Sequence, residues 1–345
     1  MLTKFRNYLY PISLGGLFAY LLFPIANFFE KKKVPRIAAN IISILIGVTV
    51  FLGIAFIIYK QMGLFLEDLP QMQAVASHNI NEIFKHVTSF TGIKSTDFKD
   101  QVKLLARNLL SLSGSNFKNT FTHTFQTVFT IGIMPVYVFF LLFYRNKFHD
   151  FILMMVKKDQ LIRTTKIIDE INKVSVYYMT GVSKVVFILM ILNSTGFSII
   201  GLKHAIFLGI LAALMNFIPY YGTIIGYLFP MFIAVFTMSS PIYALWVFLQ
   251  FIVVQFTENN ILTPNIVGSH VKINPFMIIL AITFGGFIWG LPGMFIAVPI
   301  TAILRVIGEN IPELRPIGYL LGSGGAEEHS ITREKISNFF NKIFK

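Results

Sequence analysis

Four long stretches without a charged residue constrain this chain more than any other feature of its sequence. Asp, Glu, Lys and Arg are absent from residues 37–59, 121–144, 205–257 and 273–304. A charge-free apolar run of about 18 or more residues predicts a membrane-spanning helix, because a helix at the surface of a soluble protein needs a polar face. With further apolar runs at 9–29 and 185–202, these stretches predict an all-α polytopic membrane protein with about seven transmembrane elements.

The composition agrees with this class and excludes others. Hydrophobic residues make up 55% of the 345 residues and charged residues 13%, against about 25% charged residues in soluble domains. The net charge of +13 comes largely from Lys and Arg in short segments between the apolar runs. This pattern is typical of cytoplasmic loops and differs from the aromatic and basic interleaving of a nucleic-acid surface, so no nucleic-acid partner is expected. The absence of Cys excludes disulfides and thiolate chemistry.

Two of the apolar runs are interrupted by Pro and Gly. Residues 205–238 would measure about 51 Å as one helix, against a hydrocarbon core of about 30 Å, and they are broken at 216–222. Residues 276–307 repeat the arrangement with a break at 285–293. Irregular backbone at membrane depth must line protein or a wet cavity, and such paired interruptions are typical of transport sites. Pro219 and Pro292 could instead simply kink two helices at packing contacts.

Charge and hydropathy divide the chain into six predicted segments. The basic cluster at residues 30–36 predicts a cytoplasmic loop. The segments are a transmembrane helix pair at 9–59, an extracytoplasmic helical domain at 60–120, a transmembrane helix at 121–144, a cytoplasmic helical segment at 145–184, a transport core with the two broken elements at 185–307, and a cytoplasmic tail at 308–345. Charge alone leaves open whether the broken elements span the membrane or re-enter it.

Glu258 is the residue most suggestive of a chemical role. It follows 53 uncharged residues and is the only acid between Glu170 and Glu309. An ionisable group at membrane depth is unfavourable and usually lines a cavity or exchanges a proton. The alternative is that Glu258 is solvated at a helix end beside Asn259 and Asn260. Neutral hydrogen-bonding groups occur at Asn193, Asn216, Tyr220, Gln250 and Gln255, and each of these by itself also fits a contact between helices.

Motifs of the common enzyme classes are absent from the sequence. There is no His-Glu-x-x-His pattern for zinc, no Gly-x-x-x-x-Gly-Lys-Ser/Thr phosphate loop and no Gly-x-Ser-x-Gly elbow. The chain is therefore not expected to be an enzyme, and no cofactor or metal is predicted.

Three ordered motifs lie within roughly 85 residues, and together they resemble a known family. The first is residues 216–222 (NFIPYYG) with Gly226 and Pro230. The second is residues 258–268 (ENNILTPNIVG) with Asn274 and Pro275. The third is Gly285, Gly286, Trp289, Gly290, Gly293, Ala297 and Pro299. With residues 19–24 (AYLLFP) and the basic loop after them, they are similar to the signatures of the autoinducer-2 exporter (AI-2E) family of permeases.

The resemblance implies a carrier in the bacterial inner membrane with about eight helices, cytoplasmic termini and homo-oligomeric assembly, for instance as a pentamer. The family is assigned either export of autoinducer-2 or exchange of monovalent cations for protons. Its members usually have one more helix before the segment that begins here near Leu9, so we expect the first helix of the family to be missing from this chain. Thr223 stands in place of a usual Pro, and Val182 in place of a frequent Gln.

The leading hypothesis is a secondary transporter for a small polar solute such as autoinducer-2. The alternatives are a Na⁺ or Li⁺/H⁺ antiporter that uses Glu258, and a structural or scaffold membrane protein that binds partners through residues 60–120. Expected partners are the lipid bilayer and either the solute or a monovalent cation and H⁺. The predicted substrate- or ion-binding residues are Asn216, Pro219, Tyr220, Gly222, Glu258, Asn259, Asn260, Pro264, Gly285, Gly286, Gly290 and Gly293.

Overall fold

The computed structural model describes residues 6–91, 104, 133–238, 240, 242–267 and 273–324, and this part of the chain is built from helices. The α-helices are α1 (Arg6–Lys31), α2 (Arg36–Thr91), α3 (Met134–Phe143), α4 (Arg145–Met154), α5 (Leu161–Ile200), α6 (Ala205–Met215), α7 (Tyr221–Thr237), α8 (Ile242–Thr257), α9 (Thr263–Ile266), α10 (Pro275–Trp289), α11 (Leu291–Asn310) and α12 (Arg315–Leu321). A single isolated β-bridge joins Ile273 and Gly322.

Five helical segments are long and apolar enough to cross a membrane: Leu9–Lys31, Arg36–Asp68, Lys158–Ile200, Ile242–Ile266 and Leu291–Asn310. Four shorter apolar helices, α3, α6, α7 and α10, accompany them. These findings confirm the predicted all-α polytopic membrane fold. Helices α6, α7 and α10 belong to the two predicted broken elements, and α3 lies within the predicted transmembrane helix at 121–144.

The chain divides into two compact units. The first comprises Met1–Phe148 and Val176–Gly268, and the second comprises His149–Ser175 and Ser269–Lys345. In the first unit, α1 packs against α3 through a core of Ala19, Leu22, Val138 and Leu142. Close approach of these two helices depends on Gly15, since a Cβ atom there would lie 3.0 Å from the Cβ atom of Tyr137.

Helix α2 has 56 residues, or about 84 Å of rise, and its two halves differ in burial. Large apolar side chains of the first half are exposed, as at Leu45, Phe51 and Phe56, which suits a lipid-facing surface. From Met62 onward a buried stripe runs along one face and includes Met62, Phe65, Met72, Ala76 and Ile80. The spacing of three and four residues within this stripe explains why the helix continues beyond the apolar run.

Several predicted segment boundaries fall inside continuous helices. The boundary at 59/60 lies within α2, and the boundary at 184/185 lies within α5, which has 40 residues. Residues 92–103, 105–132 and 325–345 lie outside the described residues. They carry nearly half of the predicted extracytoplasmic domain, the first half of the predicted transmembrane helix at 121–144 and most of the predicted tail. The membrane sidedness of each segment stays a prediction.

The second unit is organised by the hairpin of α10 and α11 and by α12. Helix α12 packs closely on the end of α11, where a Cβ atom on Gly308 would lie 2.7 Å from the backbone nitrogen of Gly318. The backbone N–H of Asn274 donates to the carbonyl oxygen of Leu321 at 2.8 Å. The side-chain amide of Asn310 donates to Glu170 at 2.9 Å and so joins α11 to the first part of α5.

Candidate functional site

The first predicted break is a tight reversal between α6 and α7. Helix α6 ends at Met215, and the backbone N–H of Tyr221 donates to the carbonyl oxygen of Pro219 at 2.7 Å. The residue between them, Tyr220, has φ of 64° and ψ of −61°. These values define a γ-turn of the strained kind. Strained backbone of this sort persists only where the surroundings over-determine it and is concentrated at functional sites.

Two glycines allow α6 and α7 to pack backbone against backbone beyond this turn. A Cβ atom on Gly222 would overlap the carbonyl oxygen of Met215, and one on Gly226 would lie 2.8 Å from the carbonyl oxygen of Ala212. The two glycines are four residues apart and therefore share one face of α7. The Gly in the NFIPYYG motif is thus required by close helix approach at the reversal.

Glu258 lies in the interior of a helical segment. Helix α8 leads into a π-helical turn of five residues, Glu258–Leu262, which continues into α9. Glu258 is four residues after Val254, which is 7% exposed, so it belongs to the inward face of α8 and is itself partly buried. Of the two alternatives for Glu258, the one that places it at a helix end is not supported, because the helical segment continues through it. A π turn inside an α-helix occurs frequently at functional sites.

A chain of hydrogen bonds joins Glu258 to the reversal. The side-chain amide of Asn216 donates to Glu258 Oε1 at 2.5 Å, and the hydroxyl of Thr223 donates to Asn216 Oδ1 at 2.6 Å. An ionised carboxylate can only accept hydrogen bonds, so the Asn216 NH₂ group must face Glu258 and its oxygen is left to accept from Thr223. We call Thr223, Asn216 and Glu258 the polar triad. All three residues belong to the first unit.

A second polar group lies one helical turn further along α7. The hydroxyl of Tyr227 donates to Asn193 Oδ1 at 2.5 Å, and the side-chain amide of Gln250 donates to the Asn193 carbonyl oxygen at 3.4 Å. Gln250 occupies space beside Gly196, where any Cβ atom would overlap its amide. Asn193 and Gln250 were named from the sequence as hydrogen-bonding groups. Thr223 was named only as a departure from the family signature, and Tyr227 was not named. Their spacing of four residues on one face of α7 is the signal that could have identified them.

The other predicted residues of the second motif make local hydrogen bonds. Asn260 donates to the carbonyl oxygen of Phe256 at 2.9 Å, and Asn259 accepts from Gln255 at 3.1 Å. Both partners lie one turn earlier on the same helix. Asn259, Asn260 and Pro264 are exposed, so the part of this motif that joins the polar triad is Glu258.

The second break is narrower than predicted. Helix α10 continues to Trp289, and the chain reverses at Gly290, which has φ of 68° and ψ of −143°. Only Gly adopts this conformation readily. A Cβ atom on Gly285 or on Gly293 would overlap the carbonyl oxygen of the other residue, and one on Gly286 would overlap the side chain of Met294. Gly285 and Gly293 therefore form a backbone-to-backbone contact, Gly286 makes room for the Met294 side chain and Gly290 forms the turn. All four glycines belong to the second unit.

Comparison with known proteins identifies a family and several similar proteins. The family model described as "AI-2E family transporter" matches residues 1–313. The chain is 28% identical over 314 residues to "Putative transport protein YrrI" of Bacillus subtilis, covering 88% of this chain and 87% of that protein. It is 26% identical over 319 residues to "Putative transport protein YueF" of the same organism, covering 88% and 84%. It is 25% identical over 322 residues to a "Putative transport protein" of Borreliella burgdorferi, covering 90% and 84%.

The family match extends over most of the chain and includes all three motifs and both breaks. The predicted resemblance is thereby confirmed, and the relatives are named as transport proteins. Their names agree with the absence of enzyme motifs in the sequence. The chain is a multi-pass membrane protein of the transporter class, and it belongs to the AI-2E transporter family.

Proposed function

We propose that this protein is a secondary transporter of the bacterial inner membrane that exports a small polar solute of the autoinducer-2 type, with the polar triad at its binding centre. The observation that carries the proposal is the hydrogen bond from Asn216 to Glu258. This bond joins the strained reversal between α6 and α7 to Glu258, the only acidic residue between Glu170 and Glu309. Discontinuous helices at membrane depth provide backbone groups and side chains that can bind a solute.

The chemistry of the polar triad suits a hydroxyl-bearing solute. Glu258 accepts hydrogen bonds, Asn216 both donates and accepts, and Thr223 does the same through its hydroxyl. A solute that replaces the contact between Asn216 and Glu258 can bind both groups, so the internal hydrogen bonds are exchanged rather than lost. Exposed Tyr220 adds an aromatic face beside this centre. A conformational change at the reversal between α6 and α7 would then release the solute.

Exchange of Na⁺ or Li⁺ for H⁺ is the second candidate, and Glu258 itself favours it. A lone carboxylate can bind either a cation or a proton, which is the competition that antiport requires. The Asn216 NH₂ group donates to this carboxylate at 2.5 Å, and the hydroxyl of Thr223 donates to Asn216 Oδ1 at 2.6 Å. Two neutral oxygens that could bind a cation therefore belong to the same hydrogen-bonded group. Both candidates therefore use the same centre and differ in the charge of Glu258 during transport.

The experiment is a flux assay on the full chain reconstituted in liposomes, with imposed gradients of pH, of Na⁺ and of autoinducer-2. The variant is Glu258→Gln, and the control is Glu313→Gln, which removes an exposed carboxylate. For solute export we expect wild-type flux of autoinducer-2 without added Na⁺, and a loss of at least about tenfold in Glu258→Gln, as expected for removal of a charge-assisted hydrogen bond of about 1.5 kcal/mol or more.

Three other results would change the assignment. Cation-driven proton movement that disappears in Glu258→Gln, without solute flux, would replace export by antiport. Solute flux that is the same in Glu258→Gln and in the control would show that the polar triad takes no part in solute transport. An absence of both fluxes from folded wild-type protein, with each candidate solute tested on either side, would contradict both proposals.

A further inference from the structure

A cluster of ionic side chains lies where α1 ends, α2 begins and α4 begins. Arg145 donates through Nη2 to Glu30 Oε2, and Arg36 Nε lies 3.9 Å from Glu30 Oε1. Arg36 Nη1 also donates to the carbonyl oxygen of Phe143 at 3.4 Å. One carboxylate therefore lies within ion-pair distance of two guanidinium groups from different helices. We call Glu30, Arg36 and Arg145 the guanidinium cluster, and its formal charge is positive.

The surroundings of the guanidinium cluster add positive charge and little negative charge. Lys31 at the end of α1 is exposed, as are Lys32 and Lys33 in the following loop, and Lys147 is exposed near the start of α4. Glu30 is the only acidic residue in residues 30–36 and 143–148. By the concentration of Lys and Arg, this end of the helices is predicted to face the cytoplasm.

Unpaired polar atoms are concentrated in the same place. Among the described residues, eight buried side-chain nitrogen or oxygen atoms have no hydrogen-bond partner, and four of them belong to Glu30, Arg145 and Asn40. Asn40 is 0% exposed and follows Arg36 by one helical turn, on the same face of α2. Two of these four atoms are acceptors, Glu30 Oε1 and Asn40 Oδ1, and two are donors, Arg145 Nη1 and Asn40 Nδ2. An unpaired buried donor is unfavourable, and Arg145 Nη1 can donate to an acceptor from outside the cluster.

Aromatic rings surround these cations in the manner of a membrane interface. Lys32 lies over the ring of Phe28 at 4.5 Å, Arg145 over Phe23 at 5.2 Å, and Lys147 over Tyr144 at 5.6 Å. Phe28 and Tyr144 are exposed. Aromatic side chains mixed with Lys and Arg at the ends of apolar helices are typical of the level of the lipid headgroups.

We propose that the guanidinium cluster binds the phosphate group of an anionic phospholipid of the inner leaflet. Paired guanidinium groups match the geometry of phosphate oxygens better than ammonium groups do. Basic pockets between membrane helices on the cytoplasmic side are known to hold lipid headgroups. The exposed rings and the apolar surface of α2 favour a phosphate that carries acyl chains over one that is free in solution.

The test measures lipid retained by the purified full chain, using native mass spectrometry and the shift in melting temperature on adding lipid. The probes are phosphatidylglycerol, phosphatidylcholine and soluble glycerol phosphate. The variant is Arg36→Gln/Arg145→Gln. The matched control is Lys157→Gln/Lys158→Gln, which removes two exposed positive charges from the segment between α4 and α5. Arg145→Lys keeps the charge and serves as a second variant if the double variant is unstable.

We expect wild-type protein to prefer phosphatidylglycerol over phosphatidylcholine, and the double Arg variant to lose this preference by roughly thirtyfold, as for two interfacial cations. The Lys control should lose less than about threefold, and Arg145→Lys should fall between them because it cannot pair two oxygens. Equal losses in the two double variants would show diffuse attraction and overturn the site. Stabilisation by glycerol phosphate equal to that by phosphatidylglycerol would overturn the lipid assignment and leave a site for a soluble phosphate.

Discussion

Substitution of Gly222 by Ala tests whether the reversal between α6 and α7 depends on backbone contact. The added Cβ atom would overlap the carbonyl oxygen of Met215 and lie 3.1 Å from the backbone nitrogen of Asn216. A flexible side chain could move aside, but here the obstacle is backbone. Overpacking typically costs about 1–3 kcal/mol, and we expect the upper end of this range because relief requires the two helices to separate.

The control substitution is Gly63→Ala, on the exposed part of α2. No atom lies within 4 Å of a Cβ atom built there, and Ala in place of Gly inside a helix should increase the free energy of unfolding by about 0.5–1 kcal/mol. The two variants should therefore differ by about 4 kcal/mol, which is nearly a thousandfold in the unfolding equilibrium constant.

The measurement is reversible unfolding of the purified protein from mild micelles by added SDS, followed by helical circular dichroism. Solute flux should fall with stability in Gly222→Ala, because separating the helices displaces Asn216 from Glu258. A Gly222→Ala variant that is as stable as Gly63→Ala would refute the close approach of α6 and α7. Loss of stability with normal flux would instead show that transport does not depend on the close packing at the reversal.

Two further predictions concern the second half of α2 and its neighbours. Burial lowers the pKa of His204 below its ordinary 6.5, so the unfolded chain binds the proton more readily. Stability should therefore fall as pH decreases below about 6.5, and His204→Gln should flatten this dependence. Asn79 donates to two carbonyl oxygens at the end of α7 at 2.9 and 2.7 Å, so Asn79→Ala should cost about 1–3 kcal/mol of unfolding free energy, unlike His78→Ala at the exposed neighbouring position.

The fold class and both breaks were predictable because the signals that specify them act locally. A charge-free run is sufficient to predict burial in lipid, whatever the helix packs against. Pro219 restricts φ and Gly290 permits a positive φ wherever such residues occur, so the reversals could be located to within a few residues. The predicted second break at 285–293 was wider than the observed one at Gly290, because three of its four glycines serve helix packing rather than the turn.

Helix lengths and side-chain partners were less predictable for a different reason. Hydropathy detects where a helix leaves the apolar region, but it does not detect where the helix ends. Helix α2 continues to Thr91 because Phe65 and Met72 are buried in its second half, and such packing depends on segments distant in sequence. The contact between Asn216 and Glu258 likewise joins residues that are 42 positions apart.

Thr223 illustrates how a departure from a family signature can preserve the backbone and still alter the site. It is the third residue of α7, within the first turn, where a backbone N–H has no partner inside the helix. Pro is tolerated there, so the usual Pro and the present Thr suit the same reversal. Only Thr supplies a hydroxyl, and that hydroxyl donates to Asn216. With Pro at this position, Asn216 would lose the donor that orients its amide towards Glu258, so the solute specificity of the polar triad should differ between chains that carry Thr and chains that carry Pro.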